Sequence, residues 1–289
     1  MSDALGADLN RLVLRCDLEA RLAHDPVRFA HRYTDPADQE IAGFIASGLS
    51  YGRVSLFGPA IAILLDRADT MGGPAEWVRS FDPAREAPIL ASFVYRFNRG
   101  PDHIALLDGL RRVLHQHGSL GALVEMREGE SDIGPALSRM VYAIRDASVR
   151  SPAGPPSWKS GSRGLRYLLP APDEGSAAKR MAMFARWMVR TDGVDLGLWR
   201  HLHPAHLVIP LDTHVHRIAR LVGLTRRASP NWRTAVDLTS ALSRFDPIDP
   251  VRFDFALAHL GISGQCDGTD QVAVCPNCPL YTHCRIHRR

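Results

Sequence analysis

A chain of 289 residues is long enough for one large domain or two modest ones, and 45% hydrophobic with 23% charged residues is the composition of a folded globular protein. No apolar run approaches the roughly 18–20 residues of a membrane helix, and the opening after Ser2 and Asp3 does not read as a secretion signal. A cytoplasmic protein with no membrane partner is expected. The net charge of +4 is modest but unevenly spread. Residues 1–40 carry eight acids against five arginines, whereas residues 161–236 carry eleven arginines and Lys179 against five acids. Such a segment is either a solvated arginine-rich face or a site for a polyanion.

The apolar pattern is helical almost throughout. Asp35–Pro36 supplies an N-cap and a first-turn proline before Ile41, Phe44, Ile45 and Leu49. Phe57, Ile61, Leu64 and Leu65 continue at helical spacing, as do Ile104, Leu107, Leu110 and Val113, and then Leu137, Met140, Val141 and Ile144. Alternating strand patterns are not apparent, so the fold class is all-α. From Ser148 to Ser176 the chain is dense in Ser, Gly and Pro and reads as a linker. Within it, Arg163, Arg166 and Tyr167 offer phosphate and base contacts. Ser176 can cap a helix buried through Met181, Phe184, Ala185 and Met188, with Lys179 in its first turn. Trp187 and Trp199 read as core. Asp212 stands immediately before the periodic Val215, Ile218, Ala219 and Leu221 and is a candidate N-cap. Asp249–Pro250 opens a last helix through Phe253, Leu257 and Leu260.

The tail brings Cys266, Cys275, Cys278 and Cys284 into 24 residues, spaced Cys-x8-Cys-x2-Cys-x5-Cys. Four thiols this close, in a chain with no export signal, point to metal rather than disulfides. Zinc and iron–sulfur both accept four cysteines, so the count leaves the metal open. Cys16, beside Leu9, Leu12 and Val13, reads as a small hydrophobe of an N-terminal helix.

The single Cys-x-x-Cys hook flanked by lone cysteines resembles the iron–sulfur loop that closes endonuclease III and the adenine glycosylases, with a first gap two residues longer. Leu211-Asp212-Thr213-His214 resembles the Val-Asp-Thr-His segment of the helix-hairpin-helix DNA glycosylase superfamily, and it lies 54 residues before Cys266. Ala256–Gly261 resembles the helix entering the cluster loop in that superfamily, and residues 41–50 more loosely resemble its first barrel helix. This resemblance implies a [4Fe–4S] cluster on Cys266, Cys275, Cys278 and Cys284. It also implies a DNA repair glycosylase that excises an oxidised or alkylated base from double-stranded DNA.

Chemistry gives the aspartate a reason to be there. Cleaving an N-glycosidic bond develops positive charge on the sugar, which a carboxylate can stabilise. The bland alternative is that Asp212 only caps its helix. Lys179 is one of two lysines among 35 basic residues, and arginine cannot replace it as a nucleophile. Placed near a helix N-terminus beside Arg180, it is expected to offer free amine for attack, Schiff-base formation and β-elimination. Endonuclease III carries its lysine in a Gly-rich hairpin closer to the aspartate, where this chain has Val194. Asp192–Gly197 is a poor copy of that hairpin. The 33-residue separation of Lys179 from Asp212 is instead similar to the archaeal 8-oxoguanine DNA glycosylase.

The architecture this implies is a helical barrel over residues 36–200. Residues 1–35 and 201–289 would form a cluster domain, with the DNA cleft between the two. Arg53 and Tyr51 would act at the wedge or pocket, and Arg163, Arg166, His214, Arg217, Arg220 and Arg285 would contact nucleic acid. A monomer associated with the nucleoid is expected, with RNA left open as substrate. The alternative from another class is a non-catalytic nucleic-acid-binding protein that retains the scaffold and the cluster.

Overall fold

A computed structural model describes residues 3–17, 20, 22–149 and 161–287. Twelve α-helices account for about half of the described residues: α1 (Asp3–Leu14), α2 (Pro36–Leu49), α3 (Val54–Asp69), α4 (Pro74–Arg79), α5 (Pro83–Leu90), α6 (Gly100–His117), α7 (Gly134–Ser148), α8 (Arg163–Leu168), α9 (Lys179–Val189), α10 (Thr213–Leu221), α11 (Trp232–Leu242) and α12 (Asp254–Ile262). The all-α expectation holds at the level of class. A two-residue hairpin, β1 (Val94–Tyr95) and β2 (Asn98–Arg99), escaped it. No helix among the described residues is long and apolar enough to cross a membrane.

Two helices form the centre. In α2 every residue from Glu40 to Leu49 is buried, and in α9 every residue from Arg180 to Val189. They meet through Phe44 and Phe184, edge to face with centroids 5.3 Å apart, and Phe184 in turn meets Trp199 at 5.2 Å. A charge buried here needs partners. Glu40 has them: its carboxylate accepts from the amides of Leu120 and Gly121, at 2.9 Å each, and from Trp199 Nε1 at 2.7 Å. Trp187 and Trp199 are core, as expected.

Several boundaries differ from the sequence reading. The Asp35 cap is present, donated to by the amides of Ala37 and Asp38. Ser176, by contrast, accepts from Ala178 N at 3.1 Å and closes a turn, so that α9 starts at Lys179. The expected linker falls partly on residues 150–160, which lie outside the described residues; its remainder is folded, as α8 and a 3-10 turn at Pro172–Glu174. Pro250–Phe253 forms a separate 3-10 turn before α12, since Asp249 makes no side-chain cap. α1 ends at Leu14, leaving the half-buried Cys16 beyond the helix.

Candidate active site

One cleft among the described residues encloses about 900 Å³. Tyr51, Gly52, Arg53 and Val54 line it from the start of α3, Lys179 from the start of α9, Asp212, Thr213 and His214 from the start of α10, and Asp254 from the start of α12. Residues at the starts of four helices thus line one cavity.

Lys179 and Asp212 therefore share a cavity although 33 residues separate them. Lys179 is the first residue of α9, half-buried, where an ammonium faces the unfavourable end of the helix dipole. Before it stands Ala178, buried and left-handed at φ +42°. Left-handed backbone costs a side-chain-bearing residue on the order of 1–2 kcal/mol, and such strain collects where a side chain must be held in place. Asp212 Oδ1 accepts from Val215 N at 2.8 Å, so the aspartate does cap α10. Its Oδ2 takes no hydrogen bond among the described residues.

The floor of the cleft holds groups that the sequence reading missed. Asp254 is 3% exposed, with Oδ2 accepting from Arg186 Nη1 at 2.5 Å and Oδ1 without a partner. Burial pushes its carboxyl above the usual carboxylate range; Arg186 opposes that, and the charge of Asp212 adds to it. Arg186 also pairs with Asp195 at 3.2 Å, and Asp195 with Arg190 at 2.6 Å. Asp25 caps a 3-10 turn, and His259 Nε2 stands 3.7 Å from its Oδ2. Burial works against the Asp25 carboxylate, but His259 and Arg186 outweigh it and hold its pKa below the usual value. Asp254 drew no attention in the sequence, one acid among 31 on an otherwise apolar helix. Arg186 and Arg190 had counted towards a basic surface, yet both are buried and paired.

Tyr51 and Tyr167, which line the cleft, form a cluster with Phe97, which packs against both from outside the lining. Phe97 stacks on Tyr51 with centroids 5.4 Å apart, and Tyr167 meets their edges at 4.8 and 4.2 Å. Buried Arg180 fixes this arrangement from α9, donating to the carbonyls of Gly48 and Tyr167 with its guanidinium 4.3 Å from the Tyr167 ring. Arg163 lies 5.8 Å from the Phe97 ring, and Arg96 leans over Gly52.

The remaining candidates are dispersed. Arg166 is on the surface of α8 beside Tyr167. Arg217 turns inward, donating to the Cys266 carbonyl at 2.6 Å and contacting His214 Nδ1 at 3.2 Å. Arg220 and Arg285 are exposed near the far end of α10, where Arg285 N donates to Leu221 O. Arg288 and Arg289 lie outside the described residues.

Cys266, Cys275, Cys278 and Cys284 line one small pocket, walled by Ile218, Leu260, Leu280 and Ile286. Burial pushes the Cys266 and Cys278 thiols up, and the neighbouring cysteines push in the same direction. Four thiolates gathered in apolar surroundings repel one another unless a cation offsets them, so this donor set fits a thiolate-bound metal cluster. Cys275 also lies with Asp270 and His287, their ligand atoms within 4.8 Å of one another, a mixed set that a zinc ion could use.

Residues 25–263 match the model of a family described as a protein of unknown function, DUF2400. The chain belongs to that family. The DUF2400 match takes in every residue lining the cleft except His24, and it stops at Ser263, before the first tail cysteine. No curated protein and no solved structure matches the chain.

Proposed function

We propose that this protein is a DNA glycosylase with lyase activity, acting on an oxidised or alkylated base. The observation that carries the reading is the placement of Lys179 and Asp212 on the walls of one cleft, each at the start of a helix. The Lys179 Nζ lone pair forms a bond to C1′ of the sugar as the C1′–N bond breaks and the base leaves with its electron pair. Asp212 takes a proton from the attached amine and returns it to O4′ as the C1′–O4′ bond opens with its electron pair on O4′, which gives an iminium ion. Removal of a C2′ proton then expels the 3′ phosphate. Asp212 stabilises the charge that develops at C1′ and accepts the amine proton.

The tail cysteines hold a [4Fe–4S] cluster in this reading, which binds the loop from Cys266 to Cys284 to the end of α10. The lobes on either side of the cleft are a helical barrel, residues 36–200, and a cluster domain built from both termini. Double-stranded DNA containing a damaged base is the expected partner.

Borohydride trapping on lesion-bearing oligonucleotides tests the mechanism. A covalent adduct is expected with the wild type and none with Lys179→Gln. Wild-type product yield from Asp212→Asn on every lesion would overturn the assignment of Asp212. The capping bond of Asp212 favours a second reading, a nucleic-acid-binding protein without chemistry. That protein would bind DNA in a salt-sensitive way and yield no product from any lesion.

A further inference from the structure

Half or more of the hydrogen bonds that hold DNA go to its phosphates and sugars, many of them from backbone amides. The segment where a helix-hairpin-helix would present such amides, residues 190–212, holds only one short 3-10 turn, Pro204–His206. Its glycine-containing loop folds back on the protein instead. Leu196 N and Gly197 N both donate to Trp187 O, at 2.7 and 3.3 Å, and Asp192 Oδ1 accepts from the amides of Val194 and Asp195. These amides are used internally.

The cleft rim is built differently. Tyr51 and Phe97 are half-buried and Tyr167 is 39% exposed, all three packed on one another beside the exposed Arg53, Arg96 and Arg163. The hairpin that carries Arg96 and Phe97 is held firmly. Tyr51 Oη donates to Asn98 Oδ1, Tyr95 Oη donates to the Tyr51 carbonyl, and Asn98 Nδ2 donates to Gly164 O at 2.8 Å. At its tip Arg96 sits at φ +54°, a conformation unusual for a side-chain-bearing residue. Between Glu86 and Asp102 the chain has arginines at 96 and 99 and no acid, so the hairpin adds only positive charge to the rim.

Aromatic faces interleaved with arginines, continuous with a cavity, are the elements of a platform for an unpaired strand. We propose that the rim formed by Tyr51, Phe97, Tyr167, Arg96 and Arg163 binds single-stranded DNA, so that the preferred substrate presents its base in an unpaired segment. This rests on the glycosylase reading for the chemistry, but not for the binding.

Fluorescence anisotropy on the full-length protein tests it, using a 15-nucleotide single strand and the matching duplex, both undamaged. The wild type should bind the single strand at least about tenfold more tightly. Phe97→Ala and Tyr167→Ala should each weaken single-strand binding about tenfold, the scale of one lost base stack, and leave duplex binding unchanged. Equal or tighter binding of the duplex by the wild type overturns the proposal, as do rim variants that keep full single-strand affinity. Trapping of Lys179 on a duplex lesion would separate the two ideas, because the chemistry would then stand while the strand preference fell. Circular dichroism of the variants checks that the helices are intact.

Discussion

At Asp212 the capping role and the proposed chemical role fall on different atoms. Oδ1 accepts the Val215 amide proton, which leaves Oδ2 for the cleft. Asparagine caps helices about as well as aspartate, so Asp212→Asn should keep the thermal midpoint of the wild type while product formation falls about 10²–10⁴-fold. Thermal melts beside a single-turnover assay check this, and a parallel loss of both would reduce Asp212 to a cap. His103 gives a prediction about stability alone. It is 2% exposed, packs edge-on against Phe93 at 4.6 Å, and its Nε2 has no partner among the described residues. Burial lowers its pKa from 6.5 to about 4. Between those values the unfolded chain binds a proton that the folded chain refuses, so stability falls as pH drops through that window. The loss is on the order of 3 kcal/mol. His103→Leu should remove this component, seen as a smaller difference between urea midpoints at neutral pH and near pH 4 than the wild type shows.

Among the elements, the α10–α12 contact joins the cleft to the cysteine loop. A Cβ added at Gly261 would lie 2.5 Å from His214 Cβ, so glycine is what lets the two helices approach. Gly261→Ala should destabilise the protein by about 1–3 kcal/mol through overpacking. On the cluster reading it should also lower the iron content of purified protein, because the displaced helix leads directly into Cys266. Denaturant unfolding and metal analysis would measure both. The helices themselves were legible, because apolar residues at a period near 3.6 mark a buried face whatever it packs against. The β1–β2 hairpin was not, since two-residue strands are too short to alternate. The burial of α9 on all sides was also hidden. Arg180 and Arg186 sit on it and Arg190 caps its end, and a charge count cannot tell a solvated arginine from one held by a buried carbonyl or carboxylate. Lys179 was found because lysine is rare in this chain, whereas Asp254 and His259 are common residue types that only tertiary packing brings together.

In the whole molecule, the cysteine tail is fastened to the body at widely separated points. Asn277 O accepts from Arg15 Nη1 at 3.2 Å, His283 Nε2 contacts Asp8 Oδ2 at 2.9 Å beside α1, and Arg217 and Leu221 hold Cys266 and Arg285 to α10. Beyond Ile262 the described tail contains only two 3-10 turns, Cys275–Asn277 and Tyr281–His283. From Gln271 on, its own backbone hydrogen bonds close only short turns, so its attachment to the body depends on these anchors and, in the cluster reading, on the metal. Because α10 carries Asp212 at one end and the tail contacts at the other, freeing the tail removes support from the helix that positions the aspartate. Chelation of the metal should therefore cost little helical circular dichroism yet weaken nucleic-acid binding and product formation together. Reconstitution with iron and sulfide should restore both, while zinc should restore neither if the cluster geometry is what sets the loop. A large loss of helical signal on chelation would instead place the tail inside the folding core.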